Sequence, residues 1–308
     1  MKISVIIPNY NGENILKKNL PDVLKAVEAQ DFEIIIVDDN SLDESMQFIK
    51  EFAGKMPGKI KFMKNDVNKG FSPTVNRGVA MAQGEIIVLL NTDVSPHVDF
   101  LKTLLPHFKD DKVFAVGCMD ESIENGQIVL RGRGIGEWKN GFLLHSAGSL
   151  DESNTLWVSG GSGAFRKSIW DKLGGLDEVY APFYWEDIDL SYRALKSGYK
   201  LIFEKESKVR HEHEKGAIKS EYTDFQIKRI SYRNQIFFVW LNITDFNLLL
   251  SHFLWLPYNI TFSLVKGDLG LLLGFLFALL RLPTIVAHRT GRAKNFTLKD
   301  ADIFNEFI

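Results

Sequence analysis

The sequence predicts an α/β protein built on a mostly parallel sheet with helices on both faces, and two observations carry that prediction. Short β-branched runs alternate with helical stretches at Ile3 to Ile7, Glu33 to Val37, Lys59 to Met63, Glu85 to Leu90 and Val113 to Gly117. The runs Ile34-Ile35-Ile36-Val37 and Ile86-Ile87-Val88-Leu89-Leu90 are apolar at every position, as strands covered on both sides must be. With 308 residues, 45% hydrophobic and 25% charged, the chain can bury a full core and hold one large domain or a domain plus an appendage.

Taken in order, Met1 to Pro8 reads as a first strand, because its apolar run is too short for the core of a signal peptide and no small-residue cleavage site follows. Ser41 with Glu44 forms a capping-box pattern at the start of one helix. Ser72-Pro73 marks the start of the next, and Gly84 closes it. From Lys112 to Trp157 glycines interrupt the pattern, which reads as strands and loops without firm boundaries. Glu186 to Ser197 predicts a helix with Ile188, Tyr192 and Leu195 at helical spacing and Gly198 as its C-terminal stop; Lys200 to Glu204 predicts a strand.

The C-terminal quarter changes character. Phe246 to Val265 carries no formal charge, and after Lys266-Gly267-Asp268 a second apolar run extends from Leu269 to Leu280. The second run is shorter than the roughly 20 residues that span a bilayer, and polar residues and Pro257 interrupt the first. We read two helices in the cytoplasmic membrane interface, or a shallow hairpin, with Arg281, His288, Arg289, Arg292 and Lys294 near anionic head groups. An apolar surface for domain docking or for a homodimer is the alternative, and a spanning helix the third choice.

The formal net charge is −2 and no block of five like charges occurs, so nothing resembles the electrostatic footprint of a nucleic-acid binder. A single cysteine, Cys118, excludes an intrachain disulfide framework and favours a cytosolic, reducing setting.

In open α/β sheets ligands bind beyond the carboxyl ends of the strands, so Asn9 to Asn11, Asp38 to Ser41 and Asn91 to Asp93 should converge on one crevice. Pro8, Tyr10 and Asn11 offer a surface on which a base can stack, although such residues are also ordinary turn formers. Asp38 and Asp39 can accept hydrogen bonds from a ribose or an imide, or can cap the following helix. Asp93 would bind a hard divalent cation, Mg²⁺ or Mn²⁺, able to neutralise a diphosphate. One imidazole of His211 or His213 would complete that site. Tyr184-Trp185-Glu186-Asp187-Ile188-Asp189 crowds three carboxylates into a helix start, a seat for a catalytic base.

With these residues assembled, the chain resembles the family 2 glycosyltransferases of the GT-A fold, in particular the rhamnosyltransferase-like branch of bacterial surface-polysaccharide biosynthesis. The resemblance runs from Ile3 to about Gly216. It rests on Ser-Val-Ile-Ile-Pro-Asn-Tyr-Asn at 4–11, Val-Asp-Asp-Asn-Ser at 37–41, Asn-Lys-Gly-Phe at 68–71 and Leu-Leu-Asn-Thr-Asp at 89–93. Gly-Gly-Leu-Asp-Glu at 174–178, Trp-Glu-Asp-Ile-Asp-Leu at 185–190 and the histidine after Val209 complete it. It implies a catalytic domain over 1–225, with a nucleotide-sugar half (1–111) and an acceptor half (112–225), followed by a helical region, 226–308, at the membrane.

The implied donor-binding residues are Pro8, Tyr10, Asn11, Glu13, Asp38, Asp39, Asn76, Asn91 and Asp93. Asp93 and His211 would hold the metal, with His213 competing for the second place. Asp187 would be the base, kept ionised by the helix dipole, and Trp185 and Glu186 would face the acceptor. The family's leading aspartate of the metal motif is Asn91 here, and the usual small hydroxyl residue after the histidine loop is replaced around Gly216-Ala217-Ile218.

The implied activity is inverting, metal-dependent transfer from a dTDP-, UDP- or GDP-sugar to a saccharide or lipid-linked saccharide, at the inner face of the cell membrane. A sugar nucleotidyltransferase would need a glycine-rich basic loop within residues 1–20, which is absent. A non-catalytic saccharide-binding scaffold would not need Asp39, Asp93 and Asp187 together. Processive synthesis is disfavoured by the lack of several spanning helices and of a Gln-X-X-Arg-Trp segment.

Overall fold

The structure, a computed structural model, describes residues 1–124, 126–212 and 221–307. Strand β1 (Lys2–Asn9) is flanked in parallel by β2 (Asp31–Asp38) and β4 (Ile86–Leu90), and β3 (Ile60–Lys64) pairs in parallel with β2. Beyond β4 the sheet becomes mixed. β10 (Ser162–Arg166) runs antiparallel between β4 and β6 (Val113–Glu124), and β11 (Lys200–His211) lies parallel to β6. β5 (Val94–Pro96) pairs with the end of β11, β7 (Gln127–Arg131) with that of β6, and the full order is β3-β2-β1-β4-β10-β6-β11-β5.

The continuous apolar strands divide their side chains between two cores, as period-two geometry requires. Ile3, Val5, Ile34, Ile36, Ile86 and Val88 pack with α1 (Glu13–Val27), α2 (Ser45–Gly54) and α4 (Phe100–Leu104). Ile6, Ile35, Val37, Ile87 and Leu89 face α3 (Phe71–Met81), α5 (Lys167–Leu173), α6 (Glu186–Lys196) and α7 (Asp224–Asn242). Because α7 contributes Ile236 to Leu241 to the same core as the sheet, packing continues across residue 225.

Three helix boundaries differ from the sequence pattern. Ser41 does not cap: its amide and hydroxyl both donate to Asp38 (3.0 and 2.5 Å), the chain turns at Asn40 (φ 64°), and α2 begins at Ser45. Gly70, at φ 85°, starts α3, so Ser72 and Pro73 lie inside its first turn. That helix stops at Met81 with Ala82 extended; Gly84 instead permits a close approach, since a Cβ there would fall 2.6 Å from the Ser4 amide nitrogen. Gly198 does end α6 as expected, in the left-handed conformation, with Gly198 and Tyr199 donating back to Leu195 and Ala194.

Four more helices follow: α8 (Phe246–Val265), α9 (Gly270–Leu280), α10 (Leu282–Ala293) and α11 (Asp300–Glu306). The fully buried Asp300 accepts from Lys196 Nζ (2.7 Å), the Tyr192 hydroxyl (2.6 Å) and the backbone N–H groups of Thr244 and Asp245 (2.7 and 2.8 Å). α8 is long and apolar enough to cross a membrane and exposes Phe253, Leu254, Tyr258 and Phe262; α9 and α10 pass the same test only as a pair bent by 71°.

The basic cluster is not turned outward as a unit. His288 and Arg292 pair with Asp177, Arg292 also reaches Asp189 (2.7 Å), and Arg289 donates to the Trp240 carbonyl (2.8 Å). Arg281 and Lys294 are exposed. Charge-assisted bonds to Asp177 and Asp189 hold His288 and Arg292, and a backbone carbonyl holds Arg289.

Candidate active site

The carboxyl ends of β1, β2 and β4 form one rim. There Asp38 is a fully buried strut: it accepts the Asn9 amide (2.8 Å) and both donors of Ser41, so it holds the turn together and offers nothing to a ribose. Asp39 folds the next loop, taking the Asn65 amide (2.6 Å) and the N–H of Lys69 (2.9 Å) on one oxygen and that of Gly70 (2.8 Å) on the other. Pro8 and Tyr10 are half-buried and Asn11 is exposed at φ 48°, its side-chain oxygen accepting from Leu42 N (2.8 Å). Glu13 pairs with Lys17 (2.6 Å). Asn76 is committed elsewhere: its amide bonds both the carbonyl and the N–H of Leu176 (2.8 and 3.0 Å).

Pairing of β5 with β11 sets Val94 opposite His211, and Glu212 N donates to the Asp93 carbonyl (3.2 Å). His211 Nε2 therefore stands 3.4 Å from Asp93 Oδ2, while Nδ1 is held by Asp120 Oδ2 at 2.9 Å. Two adjacent ligands each about 2.1 Å from an octahedral Mg²⁺ or Mn²⁺ would be about 3 Å apart, so this pair fits one small hard cation completed by water and phosphate. Asp120 orients the imidazole so that Nε2 faces that position. Burial opposes protonation of His211, but Asp120 and Asp93 outweigh it and raise its pKa to about 9.

No group of three or more His, Cys, Asp or Glu side chains suited to a metal occurs among the described residues, and His213 and Gly216 to Ile218 lie outside them. Asn91 donates its backbone N–H to the Gly161 carbonyl (2.9 Å), and its buried side-chain oxygen has no partner among the described residues. Asp120 escaped the sequence reading because only the register of β6 against β11 brings it to the histidine.

The start of α6 is set by an unusual turn. Tyr184 and Trp185 are both left-handed, at φ 71° and 78°, a conformation that costs a non-glycine residue on the order of 1–3 kcal/mol. α7 holds them there: the buried Asn234 amide donates to the carbonyls of Tyr180, Phe183 and Tyr184 (2.8, 2.9 and 2.9 Å), and Arg233 donates to that of Ala181 (2.6 Å).

The three carboxylates of this helix meet three environments. Asp187 is partly exposed and accepts from Ile188 N (2.8 Å) and Gly160 N (3.4 Å); burial raises its pKa against those two N–H groups, so the helix start does not hold it low. Glu186 is buried, with one oxygen lacking a partner among the described residues, and burial followed by the charge of Asp187 pushes it up to about 8. Asp189 is fully buried. It accepts from Tyr180 (2.9 Å), Arg193 (2.7 Å), Asn242 (2.7 Å) and Arg292 (2.7 Å), and although burial pushes its pKa up, Arg292 and Arg193 bring it down to about 2. Trp185 is 4% exposed and packs on Phe238, so it offers no open platform. Cys118 is buried, which drives its thiol up to about 12 and leaves it inert.

The sequence matches the family described as Glycosyl transferase family 2 over residues 4–174. Among curated relatives, the O-antigen chain rhamnosyltransferase RfbN of Salmonella typhimurium is 25% identical over 223 residues, covering 69% of this chain and 67% of that protein. The dolichol-phosphate mannosyltransferase of Pyrococcus furiosus is 31% identical over 117 residues, 38% of this chain, and the match spans only 33% of its length. Among solved structures, the mannosyltransferase PcManGT from Pyrobaculum calidifontis, in complex with GDP-Man and Mn²⁺, aligns with a TM-score of 0.58 at 17% identity over 95% of this chain and 84% of that one. GalNAc-T7 with UDP, GalNAc and Mn²⁺ aligns at 0.66 with 20% identity over 78% and 48%. Those structural likenesses identify the GT-A fold, and the family match, which covers more than half of the chain, places it in glycosyltransferase family 2.

Proposed function

We propose that this glycosyltransferase is inverting and metal-dependent, and that it moves a sugar from a nucleoside-diphosphate donor to a saccharide or lipid-linked saccharide in cell-surface polysaccharide biosynthesis. What supports this most is the Gly160-Gly161 step: Gly160 N–H donates to Asp187 and the Gly161 carbonyl accepts from Asn91 N, two residues before Asp93. One short segment thus joins the proton acceptor to the metal-binding strand end. Asp187 takes the proton of the acceptor hydroxyl as that oxygen attacks the anomeric carbon, while the diphosphate leaves from the opposite face. When bound by Asp93 and His211, a divalent cation would stabilise charge growing on the leaving diphosphate. RfbN is named a rhamnosyltransferase and PcManGT is solved with GDP-Man, so an activated rhamnose and GDP-mannose are the first donors to try. A screen of dTDP-, UDP- and GDP-sugars for Mg²⁺- or Mn²⁺-dependent hydrolysis or binding tests the reading; no metal-dependent turnover or binding with any of them would end it.

Asp120→Asn, which changes the carboxylate that holds His211 and also accepts from the Ser122 hydroxyl, is expected to weaken Mn²⁺ affinity about 10–100-fold, and Asp93→Ala to weaken metal and donor together by more. Calorimetric titration of Mn²⁺ checks both, and an unchanged affinity in Asp120→Asn would remove His211 as a ligand.

The exposed apolar side of α8 supports peripheral association with the cytoplasmic membrane face. Replacing Phe253, Leu254 and Phe262 together by serine should abolish co-flotation with anionic vesicles. Retained flotation would retire the membrane role, and a simultaneous change from dimer to monomer would assign the face to a homodimer instead. Truncation near Thr244 is a poor substitute, because it removes Asp300 from beneath α6.

A further inference from the structure

We propose that His145 contacts the acceptor sugar, standing on a support of Trp157 and Trp185 beside the catalytic helix start. This rests on the transfer reading above. β8 (Gly134–Lys139) and β9 (Phe142–Ala147) form a hairpin outside the main sheet, with Gly136 opposite His145 and Gly134 opposite Ala147. The two glycines strip that face of side chains for a reason: a Cβ on Gly134 would fall 2.3 Å from the Trp157 ring, and one on Gly136 would fall 2.6 Å from Leu156. Trp157 occupies the space so cleared, and the His145 ring meets it edge-on at 5.3 Å.

On its other side His145 meets Trp185 edge-on at 5.2 Å. Trp185 immediately precedes Glu186 and Asp187 and is buried, whereas His145 is exposed. At the place where an indole was expected to face the acceptor, the accessible ring is therefore an imidazole. Neither of its nitrogens has a hydrogen-bond partner among the described residues. The hairpin is also held in place, since Gly141 O bonds the His252 ring (2.8 Å), Asn140 O accepts from Asn259 (2.9 Å) and Leu143 O from Gln235 (3.1 Å).

This combination suits a pyranose. A sugar presents hydroxyl groups at its rim and C–H groups on its faces, and an imidazole supplies one donor, one acceptor and a flat ring. Partial desolvation of the imidazole lowers the pKa of His145, which favours its neutral form.

The test uses the full chain with its histidines labelled at Cε1, the His145 signal identified by its loss in His145→Gln, and a panel of methyl α- and β-hexopyranosides titrated in the presence of Mn²⁺ and UDP, GDP or dTDP. The expected result is a saturable shift of the His145 signal with at least one glycoside. It should be absent with glycerol or inositol, lost in Trp157→Ala, and retained in Asp187→Asn. No shift with any glycoside, or an equal shift with glycerol, would overturn the proposal. The glycosyl-transfer reading fails separately, through the absence of metal-dependent turnover or binding with every dTDP-, UDP- and GDP-sugar.

Discussion

Asp187→Asn is expected to lower sugar transfer by about 10²–10⁴-fold, the range that a positioned general base contributes. The substitution keeps the shape of the side chain, and an amide oxygen can still accept from Ile188 N, which approaches Asp187 at 2.8 Å. What disappears is the basic carboxylate that receives the acceptor proton. Nucleotide and Mn²⁺ affinities should stay within about twofold, because Asp93 and His211 belong to other segments and an interaction made only in the transition state lowers kcat without touching ground-state binding. Steady-state kinetics with parallel titrations decide the matter, and normal transfer would remove Asp187 as the base. Glu186→Gln is the matched comparison. Glu186 is pushed up to about 8, so it is largely neutral at pH 7, and an amide in its place should leave transfer within a few-fold.

The second large effect is on stability. Asp189→Ala should destabilise the fold by about 3–5 kcal/mol, because it leaves the buried Arg193 guanidinium with no carboxylate and Arg292 with Asp177 alone. Those side chains are 4% and 11% exposed, so water cannot take over from the carboxylate. The pH dependence has a definite sign. Asp189 is depressed from an ordinary 3.8 to about 2. Its contribution is therefore complete above pH 4 and is lost as the pH falls through about 2. In Asp189→Asn that part of the acid sensitivity should vanish, leaving a flatter denaturant midpoint across the same interval. An unchanged slope would mean that the carboxylate is not ionised in the native protein.

The first half of the sheet was legible because strands buried on both faces leave unbroken apolar runs, and the acids at their ends fall at the carboxyl edge by topology alone. Ser41 was misread for a local reason: Asp38 captures its hydroxyl before the helix can. The second half was opaque because β7, β8 and β9 are short, and the two glycines of β8, Gly134 and Gly136, serve packing against Trp157 and Leu156 rather than turns. Asp120 and Asn234 carried no local signal at all, since each acts on a residue or segment at least 50 positions away. Residue type announced that Trp185 and the basic cluster mattered, but direction is a property of packing. Trp185 turns inward onto Phe238, and Arg292 reaches Asp189 instead of a head group.

The burial of Asp300 against Lys196 also orders events in time. A ribosome releases α6 104 residues before it releases the carboxylate that neutralises the end of that helix. Between the two come α8, α9 and α10, with the exposed apolar surface. A nascent chain therefore completes its sticky helices before the helix bearing Asp187 acquires its buried counter-charge. The C-terminal end of that helix thus gains its counter-charge only after the segment proposed to meet the membrane has been made.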